Sequence, residues 1–196
     1  TTRELAAAAG VSEALLFRHF PSKQSLYREI LRLGCEGDPA LERLAGLPAS
    51  TGTAIRIVRF MVRRFVLGSE SERRDLELRM RLMLHSCLED GDYARELFTT
   101  VAPRVVPLFV ASLAAAEAAG EVTPVAASGA NRFWFAHHVA AMMAFAFLPA
   151  EGFVPYEGDI DLLVEEASDF VLRGIGMTEA AIAASRAALP LETAAD

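Results

Sequence analysis

The sequence predicts an all-α protein with a small N-terminal helix-turn-helix head and a larger C-terminal helical body. Good helix formers, above all alanine, leucine, arginine and glutamate, dominate the 196 residues. No sustained alternation of apolar and polar residues is visible, and no Asn-Gly or Asp-Gly turn joins two such runs. Apolar residues make up 53% of the chain, which is enough to build a sizeable core. We place the boundary between residues 1–34, the head, and residues 35–196, the body.

Three short helices are predicted in the head. The first runs to about Ala9 and ends at Gly10, because a left-handed backbone is least costly for glycine. Ser12 caps the second helix, Pro21 stops it, and Ser22 caps the third. Leu26, Ile30 and Leu33 form the inward stripe of the third helix. We expect the two helices around the Gly10 turn to bury Leu5, Val11, Leu16 and Phe20 together.

Seven helices are predicted in the body, at about 39–46, 53–67, 71–89, 93–119, 126–148, 159–175 and 178–189. Pro103 and Pro107 lie inside the fourth, where each removes an amide, so a break or kink is expected. The segment 126–148 is apolar nearly all round, which indicates burial on several sides. The next helix carries an apolar stripe of Ile160, Leu163, Val164, Ala167, Phe170 and Val171. Its carboxylates, Glu165, Glu166 and Asp169, are expected on the solvated side.

Several classes of protein are disfavoured by composition. Cys35 and Cys87 lie far apart without Cys-x-x-Cys or Cys/His spacing, which argues against a disulfide framework or zinc site and fits a reducing compartment. The longest apolar run, 133–148, is interrupted by two histidines and is shorter than a bilayer span. No signal peptide is recognisable. We therefore expect a soluble, cytoplasmic protein without a membrane partner.

Charge is distributed unevenly along the chain. The net charge is −7, but the head has five basic against three acidic side chains, and the body has 14 arginines against 23 acids. Lys23, in the head, is the only lysine. Contact with a polyanion is therefore expected only at the head.

The second helix has the features of a helix that enters the DNA major groove. Its outer side carries Glu13, Ala14, Leu15, Phe17, Arg18 and His19. Leu15 and Phe17 are tolerable there because they can pack on thymine methyls or on the sugar-phosphate surface. The helix start at Ser22 and Lys23 directs free amides and a positive charge towards phosphates. From packing alone, the same pair of helices fits a structural corner equally well.

The string TTRELAAAAGVSEALLFRHFPSKQSLYREIL, residues 1–31, resembles the DNA-binding signature of the tetracycline-repressor (TetR) family of bacterial regulators. The resemblance implies that Ser12 to His19 form the recognition helix. It also implies backbone contacts from Thr1 or Thr2, Phe17, His19 and Lys23. A homodimeric body that binds a small-molecule effector and releases a palindromic operator is expected from the same resemblance.

Three features depart from the family pattern. Phe17 stands where the family usually has tyrosine, so a phenol hydrogen bond to phosphate is missing. Ala14 and Leu15 replace a small or polar pair, which makes contact with the bases more apolar. The family's head has three helices and these residues begin at the second, so we expect the first helix to be absent from the 196 residues.

In the body, the helices at about 126–148 and 159–175 are the candidate dimer face, because both expose more apolar surface than one partner covers. The alternative is that they pack on other body helices. Large apolar side chains provide a candidate ligand pocket, although an ordinary filled core is the alternative for each of them. The candidates are Phe60, Phe65, Met80, Met83, Phe98, Val105, Phe109, Trp134, Met142 and Met143.

Polar candidates in the body are few. His85, His137 and His138 are placed to orient a polar ligand group. The adjacent pair does not suit one metal ion, because neighbouring helical side chains point about 100° apart. We expect no metal, no cofactor and no enzymatic activity, since no triad, phosphate-binding loop or di-iron motif is present.

The sequence thus predicts a DNA-binding transcriptional regulator, most simply a repressor. The alternative is a helical small-molecule-binding protein or protein-interaction scaffold whose head does not bind DNA.

Overall fold

The computed structural model describes residues 2–35, 38–67, 70–149 and 152–188. Within these ranges the chain is all-α, which confirms the predicted fold class. The ten helices described are α1 (Thr2–Ala8), α2 (Glu13–His19), α3 (Lys23–Cys35), α4 (Pro39–Ala45), α5 (Thr51–Val66), α6 (Glu70–Leu88), α7 (Asp92–Ala118), α8 (Gly129–Ala146), α9 (Ile160–Gly174) and α10 (Glu179–Ala188).

Side-chain caps define where most of these helices begin. The Ser12 hydroxyl accepts from the Leu15 amide at 3.2 Å, as the sequence predicts. Asp38, Ser50, Ser128 and Asp159 cap α4, α5, α8 and α9 in the same way. Each cap satisfies an amide that the first helical turn leaves without a partner.

α5 is the central helix of the body and packs against α7, α8 and α9. Its inward face includes Ile55, Val58 and Val62, all fully buried. These residues belong to one core that also takes in Phe109 of α7 and Phe133 of α8. The body is therefore built around α5.

The predicted break in α7 is wrong, because the helix is continuous and begins at Asp92. Pro103 and Pro107 lie four residues apart, and both side chains are exposed. The two missing N–H groups would therefore have been on the solvent side of the helix. Water can hydrate the carbonyl groups that are left without a donor there. The other face, with Val105 and Phe109, packs into the core, and the helix continues through the prolines.

α7 also has the length and composition of a membrane-spanning helix. Those two properties are weak evidence, since core helices of soluble proteins share them. Here α7 packs against α3, α5, α6 and α8.

α9 is rotated relative to the predicted stripe. Phe170, predicted inward, is 68% exposed, whereas Asp169, predicted solvated, is only 2% exposed. The Asp169 carboxylate accepts a hydrogen bond from Arg186 and lies 4.0 Å from Arg59 and 3.8 Å from Arg173. Three guanidinium groups compensate the charge of the buried Asp169 carboxylate. An acidic residue that the pattern predicted to be solvated is therefore stable at a buried position.

A short extended contact joins two connections of the body. Val122 and Met177 form an isolated antiparallel bridge. The Thr123 amide donates to the Gly176 carbonyl at 2.8 Å, and the Thr178 amide donates to the Glu121 carbonyl at 2.9 Å. Gly176 has φ +93° there, and an added Cβ would lie 2.8 Å from the Thr123 carbonyl oxygen. The sequence analysis missed this contact.

α3 packs onto the body, against α7. Tyr27 and Leu31 are its buried residues and form a small cluster with Met83 of α6 and Tyr93 of α7. The predicted inward residues Leu26 and Ile30 are only half-buried, and the buried face lies one residue further along the chain at each of these positions. The Leu33 side chain lies outside the described residues. α3 thus joins the head to the body.

Candidate DNA-binding surface and body cavity

The turn between α1 and α2 is closed by backbone hydrogen bonds. The Val11 amide donates to the Ala6 carbonyl at 2.9 Å, and the Gly10 amide donates to the Ala7 carbonyl at 3.1 Å. Gly10 has φ +66°, the left-handed conformation that this type of helix end requires. The predicted glycine turn is confirmed.

α2, which the structure describes from end to end, contains no fully buried side chain. Phe17 is 44% exposed. The predicted common burial is wrong for three residues: Val11 is exposed, and Leu16 and Phe20 are half-buried. The reason is that α1 is the main partner of α2 in the described chain, and a seven-residue helix covers little surface. The Leu5 side chain lies outside the described residues.

The predicted DNA contacts lie on α2 and at the start of α3. Leu15 is half-buried. The other described side chains are exposed, namely Ser12, Glu13, Ala14, Phe17, Arg18, His19, Ser22 and Lys23. Thr1 and the side chain of Thr2 lie outside the described residues. The exposed set forms the candidate DNA-binding surface.

Lys23 is already engaged by the body. Its Nζ donates to the Asp90 carboxylate at 2.7 Å and lies 5.4 Å from the centre of the Tyr27 ring. The hydrogen bond to Asp90, followed by Tyr27, raises the pKa of Lys23, and the same bond lowers the pKa of Asp90. Both groups remain exposed, so the pair contributes little to stability and can exchange partners.

Two further polar contacts tie α3 to the start of α7. Arg28 donates to Glu96 at 2.7 Å, and Gln24 donates to Asp92 at 3.2 Å. Together with the Lys23 pair they form a row along α3, beside the buried Tyr27. The orientation of α3 therefore depends on where α7 begins.

A partly open cavity of about 190 Å³ lies between helices of the body. Residues of α5, α6, α7 and α8 supply most of its apolar lining, and α4 adds Leu41 and Leu44. Seven of the ten candidate pocket residues line it, namely Phe60, Phe65, Met80, Met83, Phe98, Val105 and Trp134.

The other three candidates lie elsewhere. Phe109 is fully buried in the core and packs on Phe133, with ring centres 5.5 Å apart. Met143 is part of the same core. Met142 is 65% exposed.

Leu97 and Val101 line the cavity, and the sequence analysis missed them. They share a face with Phe98 and Val105 on α7. Both lie within the predicted helix, eight and four residues before Val105, so the face that Val105 occupies would have revealed them.

His137 is the histidine that reaches the cavity wall. Its ring centre lies 5.3 Å from that of Phe65 and 5.5 Å from that of Phe98. Burial, reinforced by the neighbouring His138, lowers the pKa of His137 to about 4. The Nδ1 atom is buried without a hydrogen-bond partner among the described residues. His85 and His138 are exposed and do not line the cavity.

The two arginines that line the cavity both have partners. Arg64 pairs with Asp38 at 2.9 Å. Arg79 also has a partner. The pairing of Arg64 could not be predicted from the sequence, because Asp38 comes from the connection before α4.

α8 and α9 leave apolar side chains exposed. On α8, Phe135 is 59% exposed, and Val139 and Met142 follow it at positions that share one face. On α9, Leu162 and Phe170 are exposed. α8 and α9 contact each other, so these exposed apolar side chains lie on two adjacent helices.

No group of three His, Cys, Asp or Glu side chains in the described ranges is arranged to hold a metal ion.

Comparison with known proteins identifies the head. Residues 1–30 match the family described as bacterial regulatory proteins, tetR family. This match confirms the resemblance seen in the sequence. No curated protein and no solved structure matches the chain.

Proposed function

We propose that this chain, which carries the DNA-binding head of the TetR family of transcriptional regulators, is a homodimeric repressor that a small, largely apolar effector releases from a palindromic operator. The observation that carries the proposal is the surface of α2. It is a capped helix with no buried side chain, and Lys23 follows it at the start of the next helix.

α2 would enter the major groove, with its N-terminal residues at the base edges. Ala14 and Leu15 would contact bases through apolar surface, while Ser22 and Lys23 would contact phosphates. Because phosphate contacts carry no sequence information, the two groups have separable effects on binding.

The exposed face of α8 and α9 supports a two-fold dimer. Phe135 and Met142 on one helix and Phe170 on the other are large apolar side chains that a second copy would cover. Two copies of both helices would make a four-helix interface. The recognition helices would then lie about one turn of DNA apart, ~34 Å.

Effector binding in the cavity would be coupled to the position of the head through residues that contact both the cavity and α3. Met83 and Tyr93 line the cavity and also pack against Tyr27 and Leu31 of α3. A ligand that displaces them would shift α3, and with it α2. A coupling free energy on the order of 1–3 kcal/mol between the two sites is expected for such a device.

A second candidate function rests on the contact between Lys23 and Asp90. A head whose cation stays bound to the body would belong to a small-molecule-binding protein or scaffold without DNA binding. The competition is between Asp90 and a phosphate for the same ammonium group.

A gel-shift titration with the DNA that flanks the chain's own gene tests the proposal. We expect a discrete complex whose affinity falls steeply with salt, as phosphate neutralisation requires. Binding no tighter than to random DNA of the same length would support the second candidate instead.

A further inference from the structure

We propose that the body cavity selects an uncharged molecule with a single aromatic ring and one hydroxyl group, which His137 binds by a hydrogen bond. The inference rests on the proposed function in one respect, that this cavity is the effector site.

The size of the cavity sets the first limit. Its volume is about 190 Å³. A cavity of roughly 150 Å³ lined by apolar side chains is known to hold benzene. One ring with one or two small substituents therefore fits this volume.

The shape of the lining favours a flat ring. Phe98 and Trp134 meet edge to face with ring centres 5.2 Å apart. Phe65 meets the His137 ring at 5.3 Å, again edge to face. An aromatic ligand extends this arrangement, because ring edges and faces carry opposite partial charge.

The charges of the wall disfavour an anion. Arg64 is committed to Asp38, and Arg79 is engaged as well. A carboxylate would enter an apolar space where no cation is available without breaking an existing contact. Burial of an ion without such compensation is unfavourable.

His137 supplies the polar contact. With its pKa at about 4, the imidazole is neutral near pH 7 and offers one donor and one acceptor nitrogen. Its Nδ1 is buried and lacks a partner among the described residues, so this hydrogen-bonding capacity is unused and a ligand reaches it only when the ring rotates about its Cβ–Cγ bond. A ligand hydroxyl can serve as donor or as acceptor, so it matches the neutral ring in either tautomer.

The test uses the chain's only tryptophan, Trp134, which lines the cavity. Its fluorescence reports binding of p-cresol, of p-xylene, which has the same shape without the hydroxyl, and of benzoate, which is anionic. We expect p-cresol to bind about tenfold more tightly than p-xylene, the range expected for one hydrogen bond. Benzoate should bind most weakly.

Three variants locate the effect. His137→Phe should reduce the preference for p-cresol over p-xylene to about twofold or less, and His137→Gln should retain part of it because it keeps a hydrogen-bonding group. His138→Phe, at the adjacent exposed position, should behave like the wild type. Circular dichroism confirms that each variant is folded.

Three results would overturn the inference. They are benzoate binding as tightly as p-cresol, an unchanged preference in His137→Phe, and no binding of either neutral ring by the folded wild type. The gel-shift assay on the same preparations separates this inference from the proposed function. Operator binding without p-cresol binding contradicts only the ligand class, whereas p-cresol binding without operator binding contradicts only the DNA-binding role.

Discussion

His137 has a strongly lowered pKa inside the body. Its ordinary pKa is 6.5, and burial among aromatic rings lowers it to about 4. The unfolded chain therefore binds a proton between these two values that the folded chain does not bind. Stability is complete above pH 6.5 and is lost as the pH falls towards 4.

The first prediction follows from this pKa shift. Between pH 7 and pH 5, the wild type should lose about 2 kcal/mol more unfolding free energy than His137→Phe. Urea unfolding at the two pH values measures the difference, and His138→Phe should lose slightly less than the wild type, because it removes the smaller, coulombic cause of the shift and leaves the burial of His137. Equal losses in wild type and His137→Phe would show that His137 is not buried in the neutral form.

Gly176 holds a backbone position that other residues cannot occupy without strain. It has φ +93°, and an added Cβ would lie 2.8 Å from the Thr123 carbonyl oxygen, a backbone atom that cannot turn away. Two residues earlier, Gly174 lies in α9 with nothing within 4 Å of an added Cβ. The pair separates backbone strain from the general effect of alanine.

The second prediction is that Gly176→Ala lowers the free energy of unfolding by more than about 2 kcal/mol. Gly174→Ala should be neutral or stabilising by up to about 1 kcal/mol, because alanine favours helix. Urea unfolding of both variants at pH 7 is the measurement. Similar stabilities would mean that the contact between residues 122–123 and 176–177 does not constrain the body.

Among the elements, α3 has the most direct link between head and body. Lys23 and Arg28 lie on it, and each forms an ion pair with the body, with Asp90 and Glu96 respectively. Lys23 lies at the N-terminus of the helix, where phosphates are expected, and Arg28 lies more than one turn further along. The two side chains therefore form a matched pair for testing DNA contact.

The third prediction concerns this pair. Lys23→Ala should weaken binding to all operator variants and reduce the slope of log affinity against log salt by about one. Arg28→Ala removes the same charge and the same kind of ion pair but should leave the slope unchanged. Fluorescence anisotropy titrations at several salt concentrations measure both.

A companion variant tests base contact from α2. Leu15→Ala should change the ranking of operator variants with little effect on the salt slope. If Lys23→Ala and Leu15→Ala weakened binding equally on every variant, the division into phosphate and base contacts would be wrong.

Local sequence signals predicted the helices well, but they predicted poorly which side of a helix packs against other helices. Gly10 ends the first helix through its backbone, and Ser12 begins the second through a side-chain hydrogen bond. Both signals are local, so the sequence alone predicts these helix boundaries. The continuity of α7 depends on which side of the helix Pro103 and Pro107 face, and that side is set by packing on α5. Asp169 was misplaced because the arginines that compensate its charge come from three different helices.

For the whole molecule, the exposed apolar side chains of α8 and α9 are the basis of the proposed dimer. The sequence indicated these two helices from their excess apolar residues. It did not indicate that Phe170 belongs to the exposed side, because the burial of Asp169 next to it fixes the rotation of α9. Seven of the ten candidates chosen from size and chemistry line the cavity, but Met142 shares their chemistry and lies on the exposed face.

The fourth prediction tests this face. Phe170→Ser should shift the protein from dimer to monomer in sedimentation velocity and weaken operator binding. Leu78→Ser, at a similarly exposed apolar position on α6, should change neither. A wild-type protein that sediments as a monomer at micromolar concentration would exclude the proposed interface.

The most direct measurement is a footprint of the protein on the DNA that flanks its own gene, made at several salt concentrations. We expect two protected half-sites about 10 base pairs apart, centre to centre, occupied by two copies of the chain and lost together as salt rises. Protection of no sequence above the level of random DNA, by a protein shown to be folded, would contradict the assignment of α2 as a recognition helix.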